Sequence, residues 1–414
     1  MRLCGPYRAV LFLAFGLGFV RCGSPQLDDP SSTANPAENT KGTLVFFLSD
    51  SVEARIPAMK SAQEMTLYNG AETLVLTAED SGCFRVPVFD GTLCLGPQGA
   101  GAWTDVLRTG ESPYAVDLKW VDSDERMSDN DTWGQTEYWR MAFGLENPWF
   151  GDLVLQRSAA GRIKGTIETA TGDFRYLHGS VEGFNLNLQT FDGAHLFHFK
   201  ANTSIADSLV DGVFSSGNHY TTPFIAHRKS DKDPLLASGN EAVWTGLPVA
   251  YSGKDLLGQP TEWTWSPSDS AVHVLSVMGS WCPNCMDEHR LLIALMEEHP
   301  NMYVHTLAFE RGLNRDNGET AALKRLKQYS RSLELQRFED RWSISLIGPA
   351  SKKEAQSLLP FLDRVVSFPT SIVMTPGALQ PWIHTGFNGP ATGQKYALER
   401  SRFSAAISGL TESR

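Results

Sequence analysis

Two cysteines, Cys282 and Cys285, stand in a Trp-Cys-Pro-Asn-Cys segment. The apolar run at 272–278 just before them predicts a strand, and the pattern at 286–295 just after them predicts an amphipathic helix. The N-terminus of a helix presents unpaired N–H groups and a partial positive charge, which lower the pKa of a thiol from its free value of about 8.5. The spacing therefore predicts a redox-active dithiol that exchanges electrons with disulfides.

The two thiols are expected to have different roles. Cys282, at the end of the helix, is the expected nucleophile, and Cys285, one turn inside, is the more buried resolving thiol. The alternative interpretations are half of a zinc site or a structural bridge. Zinc normally needs four ligands, and no second cysteine pair follows in the sequence, so we predict redox chemistry and no metal.

A carboxylate, Glu288, lies three residues after Cys285 on the helix face that Leu292 and Leu295 continue. A partly apolar surrounding raises the pKa of a carboxyl group, which would suit Glu288 to take the proton from Cys285. The alternative is a surface glutamate that the helix dipole favours. For Glu310 and His384, at the ends of apolar runs, one interpretation is that they border the site, and the other is that they are solvated strand ends; the second is preferred, and both are left out of the site.

Length and composition limit the classes of protein. A chain of 414 residues is long for one domain, and two or three are expected. The composition, 42% hydrophobic and 20% charged, allows each domain to bury a core. A formal net charge of −11 argues against nucleic acid as the main partner.

The N-terminal segment predicts export. Arg2 and Arg8 precede an apolar stretch at 9–20, which has the length of a signal-peptide core and is short for a membrane span. Residues 1–22 are therefore predicted to be a signal peptide. Cys22 has the place of a lipidated cysteine, but Arg21 stands where a small residue is expected, so a lipoprotein signal and an ordinary cleaved signal remain alternatives. The mature protein is expected in the bacterial periplasm or attached to the envelope, with contact to the membrane only through such an anchor.

Cys83 and Cys94 flank two short strand-like runs around an Asp-Gly turn. A structural disulfide across this hairpin is expected in an exported protein.

The rest of the chain divides by its pattern. Residues 23–41 are a flexible spacer, and 42–228 contain short β runs between turn residues, which predict a β-rich domain of unknown role with an antiparallel sandwich or barrel. A linker at 229–245 precedes an α/β domain at 246–414 around a mixed sheet. In that domain we predict strands at 272–278, 302–309, 343–347, 370–374 and 381–385, and helices at 283–298, 319–332, 351–359 and 394–410.

The second half resembles the TlpA/ResA-type thiol-disulfide oxidoreductases, exported bacterial proteins of the thioredoxin-fold family. The resemblance covers about residues 250–412 and depends on a combination of motifs. They are the Trp281-Cys282-x-x-Cys285 motif at a strand-to-helix turn, Glu288, the Phe368-Pro369-Thr370 segment that leads into a strand, and the segment 384–390. The resemblance implies a thioredoxin-like redox domain after a large β-rich region.

The resemblance also implies roles for residues around the dithiol. Pro369 is the expected cis-proline that faces the cysteines, and the Phe368 backbone beside it would pair with an incoming peptide. Trp281 is expected to be a flat contact surface beside the site. Thioredoxins proper carry a buried Asp where this sequence has Ser276, so Glu288 is the expected proton acceptor.

The predicted function is an exported oxidoreductase that reduces disulfides of protein partners through Cys282 and Cys285. It needs no cofactor besides this redox-active disulfide, and the resemblance implies a membrane electron donor that draws on cytoplasmic thioredoxin. One alternative is a disulfide oxidase or isomerase, because Pro283-Asn284 is not the common Gly-Pro pair and the intervening dipeptide affects the reduction potential. Another is a cell-envelope binding protein in which the thioredoxin-like domain is a passive module.

Overall fold

The computed structural model describes residues 39–80, 82–86, 88–108, 114–123, 131–236 and 241–410. The predicted signal peptide at 1–22, Cys22 and most of the predicted spacer at 23–41 lie outside the described residues. Within the described ranges, no helix is both long and apolar enough to cross a membrane.

Eight antiparallel strands form a first closed barrel. They are β1 (Thr40–Ser49), β2 (Val52–Lys60), β3 (Glu64–Asn69), β4 (Glu72–Asp80), β5 (Cys83–Arg85), β6 (Gly91–Leu95), β7 (Ala100–Asp105) and β8 (Tyr114–Asp122). The barrel closes where β1 pairs with both β2 and β8. Side chains alternate between the two faces of a strand, so Ala54, Ile56 and Ala58 of β2 are buried and the residues between them are more exposed.

Eight further antiparallel strands form a second closed barrel. They are β9 (Glu137–Phe143), β10 (Trp149–Arg157), β11 (Arg162–Glu168), β12 (Leu177–Glu182), β13 (Asn185–Phe191), β14 (Leu196–Asn202), β15 (Ser208–Ser216) and β16 (Tyr220–Arg228). Here β9 closes the ring by pairing with β10 and β16. Aromatic side chains fill the interior, where the rings of Phe199 and Phe214 stack 4.6 Å apart.

A mixed sheet with helices follows the barrels. Its strands are β17 (Ala250–Lys254), β18 (Pro260–Thr264), β19 (Val272–Met278), β20 (Met302–Glu310), β21 (Trp342–Pro349), β22 (Thr370–Met374) and β23 (Trp382–Thr385). The helices are α1 (Pro283–Glu298), α2 (Gly318–Ser332), α3 (Lys352–Leu358) and α4 (Gln394–Ile407). The strand order is β18-β17-β21-β20-β19-β22-β23. Strands β19, β20 and β21 are parallel neighbours, and the remaining pairs are antiparallel.

Strand β19 is central and buried on both faces. Val274 and Met278 share an apolar cluster with residues of α1, and Leu275 and Val277 share another cluster with Ala355 of α3. A strand covered on both faces reads as a continuous apolar run, which is why 272–278 predicts a strand without alternation. The first cluster also includes the interior of the first barrel, so that barrel and the sheet share one continuous core.

The fold prediction is confirmed in its coarse features. Between the predicted alternatives for the β-rich region, sandwich or barrel, the structure has a barrel, and it has two of them where the sequence predicts one domain. The predicted strand at 272–278 and helix at 283–298 have the bounds of β19 and α1. Strands β17 and β18 are not among the sequence predictions, because short runs near a predicted linker carry little signal. The domain boundaries stay predictions.

Candidate functional site

The two cysteines of the predicted dithiol are bonded to each other where β19 gives way to α1. Cys282 is the N-cap of α1, Pro283 is its first residue, and the backbone N–H of Cys285 donates to the Cys282 Sγ at 3.2 Å. Proline suits this position because the first N–H of a helix has no partner within the helix. Cys282 is 7% exposed and Cys285 is completely buried, so Cys282 is the sulfur that a second disulfide can reach.

Trp281 and its surroundings form one wall beside Cys282. The indole Nε1 donates to the Phe309 carbonyl of β20 at 2.9 Å, and the guanidinium of Arg311 lies 4.4 Å from the ring. A side chain at Gly279 would collide with the indole, so only glycine permits this approach. The Trp281 ring also meets the Phe368 ring edge to face, at 5.6 Å.

The segment before β22 faces the dithiol. The Phe368–Pro369 peptide bond is cis, and the Phe368 carbonyl oxygen lies 3.6 Å from the Cys282 Sγ. The structure thus brings together Cys282, Cys285, Trp281, Phe368 and Pro369. Their catalytic and substrate-binding roles stay predictions.

Glu288 is completely buried below the dithiol. The Ser276 hydroxyl of β19 donates to its carboxylate at 2.6 Å, and the Ser371 hydroxyl of β22 donates to its other oxygen. Burial raises the pKa of Glu288 from 4.5 to about 7, although the two hydroxyl donors favour the ionised form and lower it. A carboxyl group that titrates near neutral pH can both accept and return a proton there.

The hydrogen bonds continue from Ser276 into the protein. The Ser276 Oγ lies 3.1 Å from His289 Nε2, and His289 Nδ1 lies 2.9 Å from the Tyr329 hydroxyl. Burial lowers the pKa of His289 to about 3, so its ring is neutral. Because the single Ser276 proton goes to Glu288, His289 Nε2 must donate to Ser276 and Nδ1 must accept from Tyr329. This chain of donors holds Ser276 in the orientation that serves the Glu288 carboxylate.

The interpretation of Glu310 as a solvated strand end is wrong. It is completely buried, and its carboxylate accepts from the Ser280 backbone N–H and hydroxyl, both at 2.8 Å. Arg325 of α2 lies 3.3 Å from it and also 3.4 Å from Asp90 of the first barrel. Burial raises the pKa of Glu310, while Arg325 and Ser280 act in the opposite direction. Glu310 therefore fixes the backbone that leads into Trp281 and Cys282.

The same interpretation is wrong for His384. It is buried, and its Nε2 lies 2.9 Å from the carboxylate of Glu399 on α4. His384 lowers the pKa of Glu288 and the like charge of Glu399 raises it, so this pair belongs to the electrostatic surroundings of the site. A strand-end histidine carries no local signal of such a partner, because Glu399 comes from a later helix.

The second barrel contacts the dithiol motif directly. Arg175, buried between β11 and β12, donates to the carbonyl of Pro283 at 3.3 Å and pairs with Asp287 of α1 and with Glu72 of the first barrel. Its φ of 57° places the backbone in the left-handed region. Three parts of the chain therefore meet at one guanidinium.

Asn284, between the two cysteines, also contacts the second barrel. Its amide nitrogen lies 3.2 Å from the Asp173 carbonyl and 3.3 Å from the Phe387 carbonyl. The Asp173 carboxylate accepts the backbone N–H of Gly389, and burial raises the pKa of Asp173 to about 7. Sequence patterns identify neither Arg175 nor Asp173, because each lies more than 100 positions before its partner in α1.

A cavity of about 230 Å³ separates the dithiol from the second barrel. Trp281, Cys282 and Phe368 line it together with residues 169, 171–174, 192, 195 and 197 of the second barrel. A larger cleft of about 570 Å³ on the second barrel shares Thr169, Thr171 and Phe174 with it. Within the described ranges, no group of three or more His, Cys, Asp or Glu side chains is arranged to hold a metal ion.

The predicted structural disulfide between Cys83 and Cys94 is present. These residues face each other across β5 and β6, with Cα atoms 4.0 Å apart. The bond closes one hairpin of the first barrel.

No protein-family model and no curated protein matches the chain. Among solved structures, a secreted Mycobacterium tuberculosis disulfide oxidoreductase homologous to E. coli DsbE is 13% identical over 39% of this chain and 96% of its own, with a TM-score of 0.26. The thiol:disulfide interchange protein DsbE from Chlorobium tepidum is 18% identical over 41% and 99%, with a TM-score of 0.27. StoA from Bacillus subtilis is 16% identical over 37% and 98%, with a TM-score of 0.24. Identities and TM-scores this low establish neither a family nor an activity for this chain.

Proposed function

We propose that the chain is an exported thiol-disulfide oxidoreductase that reduces disulfides of protein partners. The observation that carries the proposal is the Cys282–Cys285 disulfide at the N-terminus of α1, with Phe368 and Pro369 opposite it and Glu288 buried one turn further along. Helices beside the mixed sheet position these groups, and we assign residues 246–414 to a thioredoxin-like domain of the TlpA/ResA type.

The first step takes place at Cys282. In the reduced protein, the positive end of α1 and the backbone N–H of Cys285 stabilise the Cys282 thiolate. The thiolate attacks one sulfur of a client disulfide. The client S–S bond breaks, a mixed disulfide with Cys282 forms, and the electron pair leaves on the second client sulfur.

The second step depends on Cys285 and Glu288. Cys285 loses its proton to Glu288, whose pKa of about 7 suits this transfer. The Cys285 thiolate attacks the Cys282 sulfur, the mixed disulfide breaks, and the client leaves with both of its sulfurs reduced. The Cys282–Cys285 disulfide then holds the oxidising equivalents, and no cofactor takes part.

Client binding is assigned to the surfaces beside Cys282. The Phe368 backbone pairs with the client segment as an added strand, and Trp281 provides a flat wall. Regeneration needs a reductant for the Cys282–Cys285 disulfide, which we propose to be a membrane electron donor that draws on cytoplasmic thioredoxin. The protein works in the periplasm or attached to the envelope, through Cys22 if that residue is lipidated.

Trapping tests this proposal. In a Cys285→Ser variant the resolving thiol is absent, so mixed disulfides between Cys282 and client proteins should accumulate and should disappear on treatment with a reductant. A variant with both cysteines replaced by serine is the control. If the Cys285→Ser variant forms no more mixed disulfides than this control, the proposed chemistry is wrong. If the doubly substituted protein also keeps its full cellular role, the alternative of a binding protein with a passive redox module gains support.

A further inference from the structure

We propose that His195 of the second barrel is a further catalytic residue of the dithiol site, which stabilises the Cys282 thiolate and protonates the thiolate that leaves the client. The proposal rests on the function proposed above, because it assigns a role in the exchange at Cys282. His195, its partner Asp192 and Cys282 border the same cavity of about 230 Å³. The histidine comes from the turn between β13 and β14, far in sequence from the dithiol motif.

His195 and Asp192 form an oriented pair. The His195 Nδ1 lies 3.2 Å from the Asp192 carboxylate, which also accepts the backbone N–H groups of Ala194 at 2.9 Å and His195 at 2.6 Å. Burial alone would raise the pKa of Asp192, but the charge and hydrogen bond of His195 and the charge of Arg175 outweigh it and lower that pKa. The ionised carboxylate keeps a proton on Nδ1 and leaves Nε2 for proton transfer.

The first barrel fixes the turn that carries this pair. The Asn69 side chain donates to the Phe191 carbonyl at 2.6 Å and accepts the Phe191 N–H at 3.2 Å. Gly193 has a φ of 93° and packs so closely on Val86 that a side chain there would collide with it. The turn is therefore held at both its backbone and its side chains, as a positioned catalytic group requires.

The surroundings of the imidazole suit charge stabilisation. The His195 ring stacks on Phe197 at 5.1 Å, and Phe197 contacts Phe174 at 5.0 Å. Apolar walls strengthen the attraction between an imidazolium and a thiolate, because the effective dielectric constant is lower than in water. The His195 side chain remains 28% exposed, so it can exchange protons with solvent between turnovers.

The cavity also has room for more than a water molecule. Its volume of about 230 Å³ greatly exceeds the roughly 10–15 Å³ that one water molecule needs. A disulfide that reaches Cys282 through this cavity passes between Phe368 on one side and His195 on the other. The second barrel is thus part of the reaction site.

The Cys282 thiolate attacks the client disulfide, the Cys282–client S–S bond forms, and the client S–S bond breaks. The electron pair departs on the client sulfur, which takes the proton from His195 Nε2 and leaves as a thiol. The neutral imidazole regains a proton from solvent, and the two electrons that reduce the client come from the Cys282–Cys285 dithiol.

Several charged groups face the imidazole of His195. The pH dependence that they cause must be separated from the effect of His195 itself. On its own turn lies Asp192, and Arg108 of the first barrel donates to the carbonyl of Ala194. His219 of the β15–β16 turn is electrostatically coupled to His195. Asp173 borders the same cavity, and Arg175 acts on Asp192. Of these groups, Asp173 titrates near neutral pH, because burial raises its pKa to about 7.

The test measures the pH dependence of Cys282 alkylation by iodoacetamide in the full-length Cys285→Ser background. With His195 present, the reaction at pH 6 should be about tenfold faster than in His195→Gln, which corresponds to about one unit in the pKa of the Cys282 thiol. The two rates should converge above pH 9, where the Cys282 thiol is ionised in both proteins. Asp192→Asn keeps the turn acceptor but removes the negative charge, and its profile should move toward that of His195→Gln.

His227→Gln is the matched control, because His227 of β16 also pairs with an aspartate, Asp233 at 2.8 Å just after the barrel, but does not border the cavity. The alkylation profile of His227→Gln should equal that of the parent. In an Asp173→Asn background, the difference in rate between His195 and His195→Gln should remain. If His195→Gln and the parent have the same profile while Cys282 still forms a mixed disulfide with oxidised glutathione, the role of His195 is wrong and the proposed function stands. If the parent forms no mixed disulfide with oxidised glutathione at any pH, the proposed function fails and the role of His195 fails with it.

Discussion

The hydroxyl of Ser276 donates a 2.6 Å hydrogen bond to the carboxylate of Glu288. From the resemblance in the sequence, a buried aspartate would be expected where β19 has Ser276. The carboxylate instead comes from α1, and the hydroxyls of Ser276 and Ser371 bind its two oxygens from neighbouring strands. A buried acid thus lies below the dithiol, and it comes from the helix and not from the strand.

Replacing Glu288 with glutamine should slow the resolving step. The amide cannot take the Cys285 proton, and general base catalysis contributes about 10² or more to such a rate. We expect formation of the Cys282–Cys285 disulfide from the mixed disulfide to be about 100-fold slower at pH 7. Acid quenching and mass spectrometry of a single turnover with a disulfide peptide measure it. The loss should shrink at higher pH, where Cys285 ionises without help.

Glu297→Gln is the control for this experiment, since Glu297 lies on the same helix but is exposed and pairs with Arg337. It should react at the rate of the natural protein. A loss in Glu288→Gln that is the same at every pH would contradict the role of Glu288 as proton acceptor.

The same carboxyl group should make stability depend on pH. Its pKa is about 7 in the folded protein and 4.5 is its ordinary value, so between these values the folded protein holds a proton that the unfolded chain has released. The free energy of unfolding should therefore fall as the pH rises through this window and level off above it. Relative to Glu288→Gln, the loss should reach about 3 kcal/mol at pH 8, from urea unfolding at several pH values. An equal difference at pH 4 and pH 8 would contradict the buried, titrating carboxyl group.

Arg175 should be the strongest single contact between the barrels and α1. Replacing it with methionine leaves Glu72 without this partner and leaves Asp287 with only the half-exposed Arg290, which should lower the free energy of unfolding by about 3–5 kcal/mol. Adding Asp287→Asn should recover part of this loss, since one of the uncompensated charges is then gone. Urea unfolding followed by tryptophan fluorescence measures both.

Arg55→Met serves as the comparison for Arg175, because Arg55 pairs with Glu53 in an exposed position on the first barrel. Its cost should stay below about 1 kcal/mol. Equal costs for the two arginines would show that the contact of Arg175 with the dithiol helix contributes nothing special.

The Cys83–Cys94 disulfide should stabilise the protein without taking part in the exchange. Replacing both cysteines with serine should lower the free energy of unfolding by about 2–4 kcal/mol, because the unfolded chain gains freedom. Reduction of a client disulfide by Cys282 should proceed at the natural rate. If the doubly substituted variant keeps the natural free energy of unfolding but reduces the client disulfide more slowly, the structural role of this disulfide is contradicted.

The sequence predicts the central elements of the site because their signals are local. A continuous apolar run, the amphipathic pattern at 286–295 and the two-residue spacing of the cysteines are enough to place β19, α1 and the dithiol. The Phe368–Pro369 segment and Glu288 follow from motifs of the resemblance.

Features that depend on distant partners are not predictable in the same way. Closure of the first barrel depends on the pairing of β1 with β8. The sequence patterns of strands do not distinguish a closed barrel from an open sheet. Arg175 and Asp287 are 112 positions apart, and neither belongs to a pattern that selects the other. Glu310 and His384 are misread for the same reason, since their burial comes from residues of other elements.

The reduction potential of the Cys282–Cys285 pair tests the proposed direction of electron flow most directly. Equilibration of the purified protein with glutathione buffers, followed by alkylation and mass spectrometry of the two cysteines, gives its value. A reductase should lie near the reducing end of this fold, at about −270 mV, and the Glu297→Gln control should have the same potential. A value near about −120 mV would show that the pair accepts electrons from client thiols and would contradict the proposed reductase.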